Sequence, residues 1–171
     1  MKNSGLVTYP GSEPDEMHLS WWGYEDHGYF IEQSTDLVTW EWVPTAMLGD
    51  EEAITLSFQS AATRMFWRLR YSNDPESDLL AADFSQTGIS NWNELLLGFN
   101  PFDFEDTDLD GLPDVWKIYW LGSLDPGPND VNPYTGLTHA QSFAEGRNPT
   151  AGAISDTNNT HVALYIHTPL D

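Results

Sequence analysis

The apolar residues in the first half of the chain fall in short aromatic and β-branched runs, some of which alternate with a period of two. These runs are separated by Gly, Asp and Pro and read HLSWWGY, GYFIEQS, VTWEWVP, AITLSFQ and RMFWRLRY. In the last run Met65, Trp67, Leu69 and Tyr71 share one face, and aromatic or β-branched residues with this period are typical of half-buried strands. The pattern therefore predicts an antiparallel β-sandwich over residues 17–72.

A different pattern begins near residue 82, where short apolar helical segments follow polar loops. GISNWNELLLGFNP starts at Gly88, GLPDVWKIYWLGSLDP at Gly111 and GLTHAQSFAEGRNP at Gly136. Each unit contains an oxygen-rich loop, a helix of about two to three turns, a Gly that ends the helix and an X-Pro step. Units of this size cannot bury a core alone, so we expect neighbouring units and bound ions to stabilise one another.

The loop around Gly111 reads DTDLDGLPD and has the spacing of a twelve-residue calcium loop. Carboxylates placed so close together repel each other unless a cation lies among them. Hard oxygen ligands and the absence of Cys indicate calcium rather than zinc or iron. The ligands predicted by this spacing are Asp106, Asp108, Asp110, the backbone carbonyl of Leu112, and Asp114.

The loop around Gly88 repeats the spacing with weaker oxygen ligands and a closing acid at the twelfth position. Its predicted ligands are Asp83, Ser85, Thr87, the backbone carbonyl of Ile89, Asn91 and Glu94. Before Gly136 the spacing is less regular, because residues 133–134 insert one position between the candidate ligands Asp130 and Asn132 and the turn glycine.

Residues 82–150 resemble bacterial thrombospondin type 3 repeats and are similar to dockerin-like calcium loops. The matching residues are the run DTDLDGLPDVW and the recurrent G-[IL]-[SPT] and Asn-Pro landmarks. The resemblance implies EF-hand-like loops that share about two to four calcium ions, and a secreted setting. Two positions depart from the family pattern: Lys117 and Ser142 stand where a closing acid belongs. Asp103 or Glu105 from a neighbouring loop could supply the missing oxygen.

The run GYFIEQSTDLVTWEWV, followed by MFWRLRY, resembles a fibronectin type III-like domain of secreted bacterial proteins, which implies a spacer or adhesion module. Five strands are few for a closed sandwich. The segment HVALYIHT, residues 161–168, alternates in the manner of a further strand. It would close the sandwich of its own chain or insert into the next molecule, and head-to-tail insertion generates a filament unless it closes into a ring.

The predicted fold is mainly β with short helices: an antiparallel β-sandwich, then calcium-loop repeats, then a C-terminal strand. The expected divisions are an N-terminal arm at 1–16, the sandwich at 17–72, a linker at 73–81, the repeats at 82–150 and a C-terminal strand segment at 151–171.

The formal net charge of −21 makes nucleic acid and anionic membranes poor partners. Acidity is concentrated after residue 72, where sixteen acidic residues accompany only two basic ones. No apolar run approaches the length of a membrane span, and the first residues lack the apolar core of a signal peptide, so we expect a mature chain or a fragment.

Motifs for hydrolysis, nucleotide binding or zinc are absent from the sequence, which favours a protein that is not an enzyme. We therefore expect an extracellular, calcium-stabilised structural protein that assembles with copies of itself into a fibril or surface layer by strand exchange. The alternative is a carbohydrate-binding or adhesion module that recognises extracellular polysaccharide. Its candidate stacking residues are Trp21, Trp22, Trp40 and Trp42, which the sandwich core would also accommodate.

Overall fold

The computed structural model describes residues 5–59, 62, 64–73 and 78–152. The strands of this part are β1 (Val7–Pro10), β2 (Glu16–Gly23), β3 (Gly28–Ser34), β4 (Glu41–Leu48), β5 (Glu52–Gln59) and β6 (Phe66–Ser72). They form two three-stranded antiparallel sheets, ordered β1-β2-β5 and β4-β3-β6. The helices are α1 (Asn91–Leu97), α2 (Asp114–Leu121) and α3 (His139–Ala144). The described chain is therefore mainly β with a few short helices, as the sequence predicts.

The two sheets pack against each other around one apolar core. Leu19 and Trp21 share a face of β2 because alternate residues of a strand point the same way, and they meet Tyr29 and Ile31 of β3. Partly buried side chains from both sheets complete this core: Val43, Met47, Ile54, Leu56, Phe58, Trp67 and Leu69. The alternation predicted for the last run is thus confirmed, since two members of its apolar face lie on the core.

The outer face of the β4-β3-β6 sheet is also covered. Phe30 of β3 is fully buried there with Leu79 and with Leu95 of α1. Its ring meets Phe84 and Phe102 edge-on, with centroids 6.0 and 4.9 Å apart. Strand β3 is therefore buried on both faces, and the first helical unit is packed onto the sheet.

Two segments differ from the sequence-based expectation. Residues 7–10, expected to belong to an N-terminal arm, form β1 and pair with Met17–Ser20 of β2. All four residues of this edge strand are exposed, and their short run VTYP stands in a polar stretch with Gly and Pro that is typical of a loose arm. The end of the predicted linker is also packed, since Leu79 is buried and its carbonyl accepts a hydrogen bond from Asn91 at 2.7 Å.

The helical units pack on one another through a second apolar cluster. Trp116 of α2 is buried with Ile89, Leu112 and Val115, and its ring meets Phe143, in α3, edge-on at 5.7 Å. Helices α1 and α2 end at glycines in the left-handed conformation that glycine adopts without strain.

None of the helices in the described part of the chain has the length and apolar character that a membrane crossing requires. The predicted C-terminal strand at residues 161–168 lies outside the described residues.

Candidate metal-binding loops

Two acidic loops, the first loop (residues 83–94) and the second loop (residues 106–117), share one backbone arrangement. Each begins with an Asp that accepts hydrogen bonds from the backbone N–H groups four and five residues further on. The distances are 3.0 and 2.8 Å at Asp83, and 3.2 and 2.9 Å at Asp106. The loops therefore curl alike at an offset of 23 residues, which agrees with the repeat in the sequence.

Paired left-handed residues produce this curl. Gln86 and Gly88 have φ of 60° and 76°, and Leu109 and Gly111 have φ of 58° and 89°. This conformation turns the chain sharply, so that alternate side chains converge on the inside of each loop. The corresponding turn before α3 has a left-handed glycine, Gly136, but no left-handed residue two positions earlier among the described residues.

The first loop encloses a carboxylate that has one unpartnered oxygen. Glu94 is fully buried, and its Oε1 accepts hydrogen bonds from Ser85 Oγ at 2.6 Å and Thr87 Oγ1 at 2.7 Å. Its Oε2 is buried without a hydrogen-bond partner. Burial raises the pKa of Glu94 to about 7, the two hydroxyl hydrogen bonds oppose this rise, and the nearby charges of Asp83 and Glu105 add to it.

The oxygens of the first loop fit a divalent cation. Ser85 Oγ contacts Asp83 Oδ1 at 3.2 Å and Thr87 Oγ1 at 3.0 Å, besides its contact with Glu94. A hydroxyl has only one hydrogen to donate, so it cannot satisfy all of these acceptors at once. Hard oxygen donors with two carboxylates and an unpartnered buried oxygen suit calcium, which takes six to eight oxygens. When bound, the ion would neutralise both carboxylates.

Of the other two predicted ligands of the first loop, Asn91 has different partners, and Ile89 is a candidate only through its backbone carbonyl. Asn91 is fully buried, and its Oδ1 accepts a hydrogen bond from the Phe84 N–H at 3.1 Å while its amide donates to Leu79. Ile89 turns its side chain into the cluster around Trp116. Asn91 therefore ties the loop to the segment before it.

In the second loop the twelfth position holds a base instead of an acid. The Lys117 side chain is fully buried, and Nζ lies 2.8 Å from Asp108 Oδ2 and 2.6 Å from Asp110 Oδ2. Its third acceptor is the Leu124 carbonyl at 3.3 Å, so each N–H of the ammonium has a partner. Burial alone would lower the pKa of Lys117, but the two carboxylates outweigh it and raise the pKa above the ordinary lysine value.

Three carboxylates of the second loop, one of them a partner of Lys117, lie close together. Asp106, Asp108 and Asp114 each offer an oxygen within 4.8 Å of the others. Asp114 is buried, and it accepts hydrogen bonds from the backbone N–H and the hydroxyl of Thr107. The hydrogen bond from Lys117 lowers the pKa of Asp108. A metal ion at this group would share Asp108 with the ammonium, so these residues fit an ion less well than the first loop does.

The two neighbouring acids suggested as extra ligands lie on the segment that leads into the second loop. The Glu105 carbonyl accepts a hydrogen bond from the Asp114 N–H at 2.8 Å. Burial first, then the charges of Asp103 and Asp114, raise the pKa of Glu105. These acids therefore add negative potential between the two loops.

The candidate ligands before α3 hold turns of the backbone. Asp130 Oδ2 accepts a hydrogen bond from the Gly127 N–H at 3.0 Å. Asn132 Oδ1 accepts one from the Tyr134 N–H at 2.8 Å, and its amide donates to the Pro149 carbonyl at 2.6 Å. The structure does not bring these two side chains into a group with other carboxylates among the described residues.

The tryptophans considered for sugar stacking do not form an exposed platform. Trp21 is 3% exposed in the sandwich core, and Trp42 packs near Phe102 on the covered sheet face. The Arg68 guanidinium lies over the Trp40 ring, 4.2 Å from its centroid. Trp22 is half-buried. The carbohydrate-binding alternative therefore gains no support from these residues.

The spacing in the sequence indicates where the loops lie but does not indicate that Lys117 pairs with Asp108 and Asp110. A signal was available, because Lys117 is one of two basic residues after residue 72 and stands in the closing position of a calcium-type loop.

No family model, curated protein or solved structure matches the chain.

Proposed function

We propose that this protein is a non-enzymatic, extracellular structural module whose first loop, an EF-hand-like loop, binds calcium. The observation that supports this most directly is Glu94, a fully buried carboxylate with one oxygen lacking a hydrogen-bond partner. A buried carboxylate with one unpartnered oxygen is costly, and a divalent cation between Glu94 and Asp83 would relieve that cost.

The weak ligand set favours a compartment rich in calcium. The first loop offers two carboxylates and two hydroxyls, and fewer charged ligands mean lower calcium affinity. At a dissociation constant of ~0.1 mM, calcium at ~1 mM stabilises the fold by about 1.4 kcal/mol. Such a site is filled outside cells, where calcium is near millimolar.

The bound ion would also fix the first helical unit to the sheet. Phe84 follows Asp83 directly and packs against Phe30 on the outer face of β3. Ordering of the first loop is thereby linked to the position of the unit on the sheet. Calcium would act as a structural ion at this junction.

Replacing Glu94 by Gln tests the proposed site. The substitution keeps the shape but removes the buried charge, so the E94Q variant should match or exceed the wild-type melting temperature in chelator at pH 8. Wild-type protein should gain a few degrees in millimolar calcium, and E94Q should gain none. Calorimetry with a calcium titration would check the binding directly.

The matched control is Asp130→Asn, which also removes one acidic charge from a loop but leaves the turn-forming oxygen in place. This variant should keep the wild-type calcium response. If E94Q also kept that response, the first loop would not be the site.

We also propose that copies of the protein assemble through strand exchange. In the described part of the chain, β6 pairs only with β3, which leaves its other edge open for a further strand. The segment 161–168 has the alternation of a strand, and a second copy is the partner we propose for this edge. Sedimentation velocity in millimolar calcium and in chelator measures the assembly, which should be larger with calcium.

A further inference from the structure

The first and second loops have the same curl but differ in charge at three equivalent positions. At the third, fifth and twelfth positions the first loop has Ser85, Thr87 and Glu94, whereas the second loop has Asp108, Asp110 and Lys117. Both closing side chains are fully buried. The pattern is reciprocal: hydroxyls face an acid in one loop, and acids face a base in the other.

The hydrogen bonds follow this reciprocity. In the first loop Ser85 and Thr87 both reach one oxygen of Glu94, and the other oxygen of that carboxylate has no hydrogen-bond partner. In the second loop Lys117 reaches Asp108 and Asp110 and fills its third N–H with a backbone carbonyl. The first loop lacks a positive charge, and the second loop already contains one.

We propose that Lys117 acts as a tethered cation that keeps the second loop folded without a metal ion. The inference rests on the proposed function only in assigning the divalent cation to the first loop. A calcium ion bound to Asp108 and Asp110 would lie beside the ammonium at repulsive range, and the bidentate acid that normally closes such a loop is missing. The second loop therefore forms in chelator, and the protein binds one calcium ion across these two loops.

Exchanging the closing residues tests this assignment by calcium stoichiometry. Equilibrium dialysis should give one bound ion for the wild-type protein and two for Lys117→Glu. Glu94→Lys should bind none, because Ser85 and Thr87 supply no charge to hold an ion beside the new ammonium. Two ions on the wild-type protein, or no added ion on a folded Lys117→Glu variant, would overturn the inference.

The same data separate this inference from the proposed function. A wild-type protein that binds no calcium, with one ion bound by Lys117→Glu, would refute the first-loop site and support the tethered cation. One wild-type ion that survives Glu94→Gln but is lost in Asp108→Asn would place calcium in the second loop and refute both.

A measurement on the unaltered chain covers the case in which the variants do not fold. The sequence contains two lysines, Lys2 and Lys117, so acetylation with an amine-selective reagent can be assigned by peptide mass. Lys117 should resist acetylation equally in calcium and in chelator, and should react in urea, where Lys2 serves as the reference amine. A rise in Lys117 acetylation when calcium is added would mean that the ion displaces the ammonium, which would overturn the inference.

Discussion

Glu94 is the residue whose protonation matters most for the ion-free protein. Its pKa is raised by burial from an ordinary value of 4.5 to about 7. The folded chain therefore binds this proton more tightly than the unfolded chain does. Stability from the proton is fully present below pH 4.5 and is lost as the pH rises through about 7.

This shift predicts an unusual pH dependence. In chelator, urea unfolding should show a free energy of unfolding that falls between about pH 4.5 and 7, with a flatter curve for Glu94→Gln. The pKa values of Asp36 and Asp108 are lowered, so these groups titrate below that window. A wild-type curve that rises with pH across the window would contradict the prediction.

Calcium should compete with the same proton. Because a ligand carboxylate must be ionised, the apparent calcium affinity of the wild-type protein should increase about tenfold per pH unit up to about 7 and then level off. Calorimetric titrations at several pH values would measure this slope. A pH-independent affinity would mean that Glu94 does not contribute to binding.

At the scale of elements, the contact of the first helical unit with the sheet depends on aromatic side chains. Phe102 lies 4.9 Å from Phe30 and 5.9 Å from Phe84, between ring centroids. Phe104, two residues later, is 41% exposed. Phe104 is therefore a suitable control for Phe102, since only Phe102 packs on the outer face of the β4-β3-β6 sheet.

Phe102→Ala should lower the free energy of unfolding by about 2–3 kcal/mol, because it leaves a cavity in the apolar cluster around Phe30, where Phe102 is partly buried. Phe104→Ala should cost less than about 1 kcal/mol. Urea unfolding followed by tryptophan fluorescence checks both values. Equal losses would show that packing on the sheet contributes little to stability.

The elements that sequence could predict are those with a clear period. The runs that became β2, β5 and β6 alternate apolar and polar residues, the run that became β3 contains three consecutive apolar residues, and the helices follow polar loops. Strand β1 could not be predicted because its four residues stand in a polar stretch with Gly and Pro. Its position is set by pairing with β2 instead of by its own pattern.

The loop positions could be predicted from spacing, but the partners within them could not. Asn91 fits a ligand position, yet the fold turns it towards the backbone of Phe84 and Leu79. Lys117 was recognisable as a departure, but only the structure shows which carboxylates surround it. The sequence does not indicate which groups these side chains contact, because several possible partners lie at similar distances along the chain. Tertiary packing selects among them.

At the scale of the whole molecule, β3 connects the two halves. Its one face lies in the sandwich core and its other face lies under the first helical unit. The open edge of β6 belongs to this same sheet. A strand added at that edge would therefore extend a sheet that already holds both halves of the protein.

Assembly should depend on the apolar face of the C-terminal segment. Replacing Val162, Leu164 and Ile166 by Ser should leave a smaller species in sedimentation velocity with calcium, because the added strand would lose its buried face. The control replaces His161, Ala163 and Tyr165, which the sequence alternation assigns to the other face, by Ser and should assemble as the wild-type protein does. Unchanged assembly of the first variant would exclude this segment as the connecting strand.

The opposite charges of the closing residues Glu94 and Lys117 have a consequence for how such loops could evolve. Codons for Glu and Lys differ only in their first base, so under the proposed assignment a single nucleotide change would separate a loop that takes up a dissolved ion from a loop that carries its own charge. The neighbouring positions differ in the same sense, with hydroxyls at 85 and 87 beside the acid and carboxylates at 108 and 110 beside the base. A repeat array can in this way alter its dependence on environmental calcium one loop at a time while its backbone stays the same.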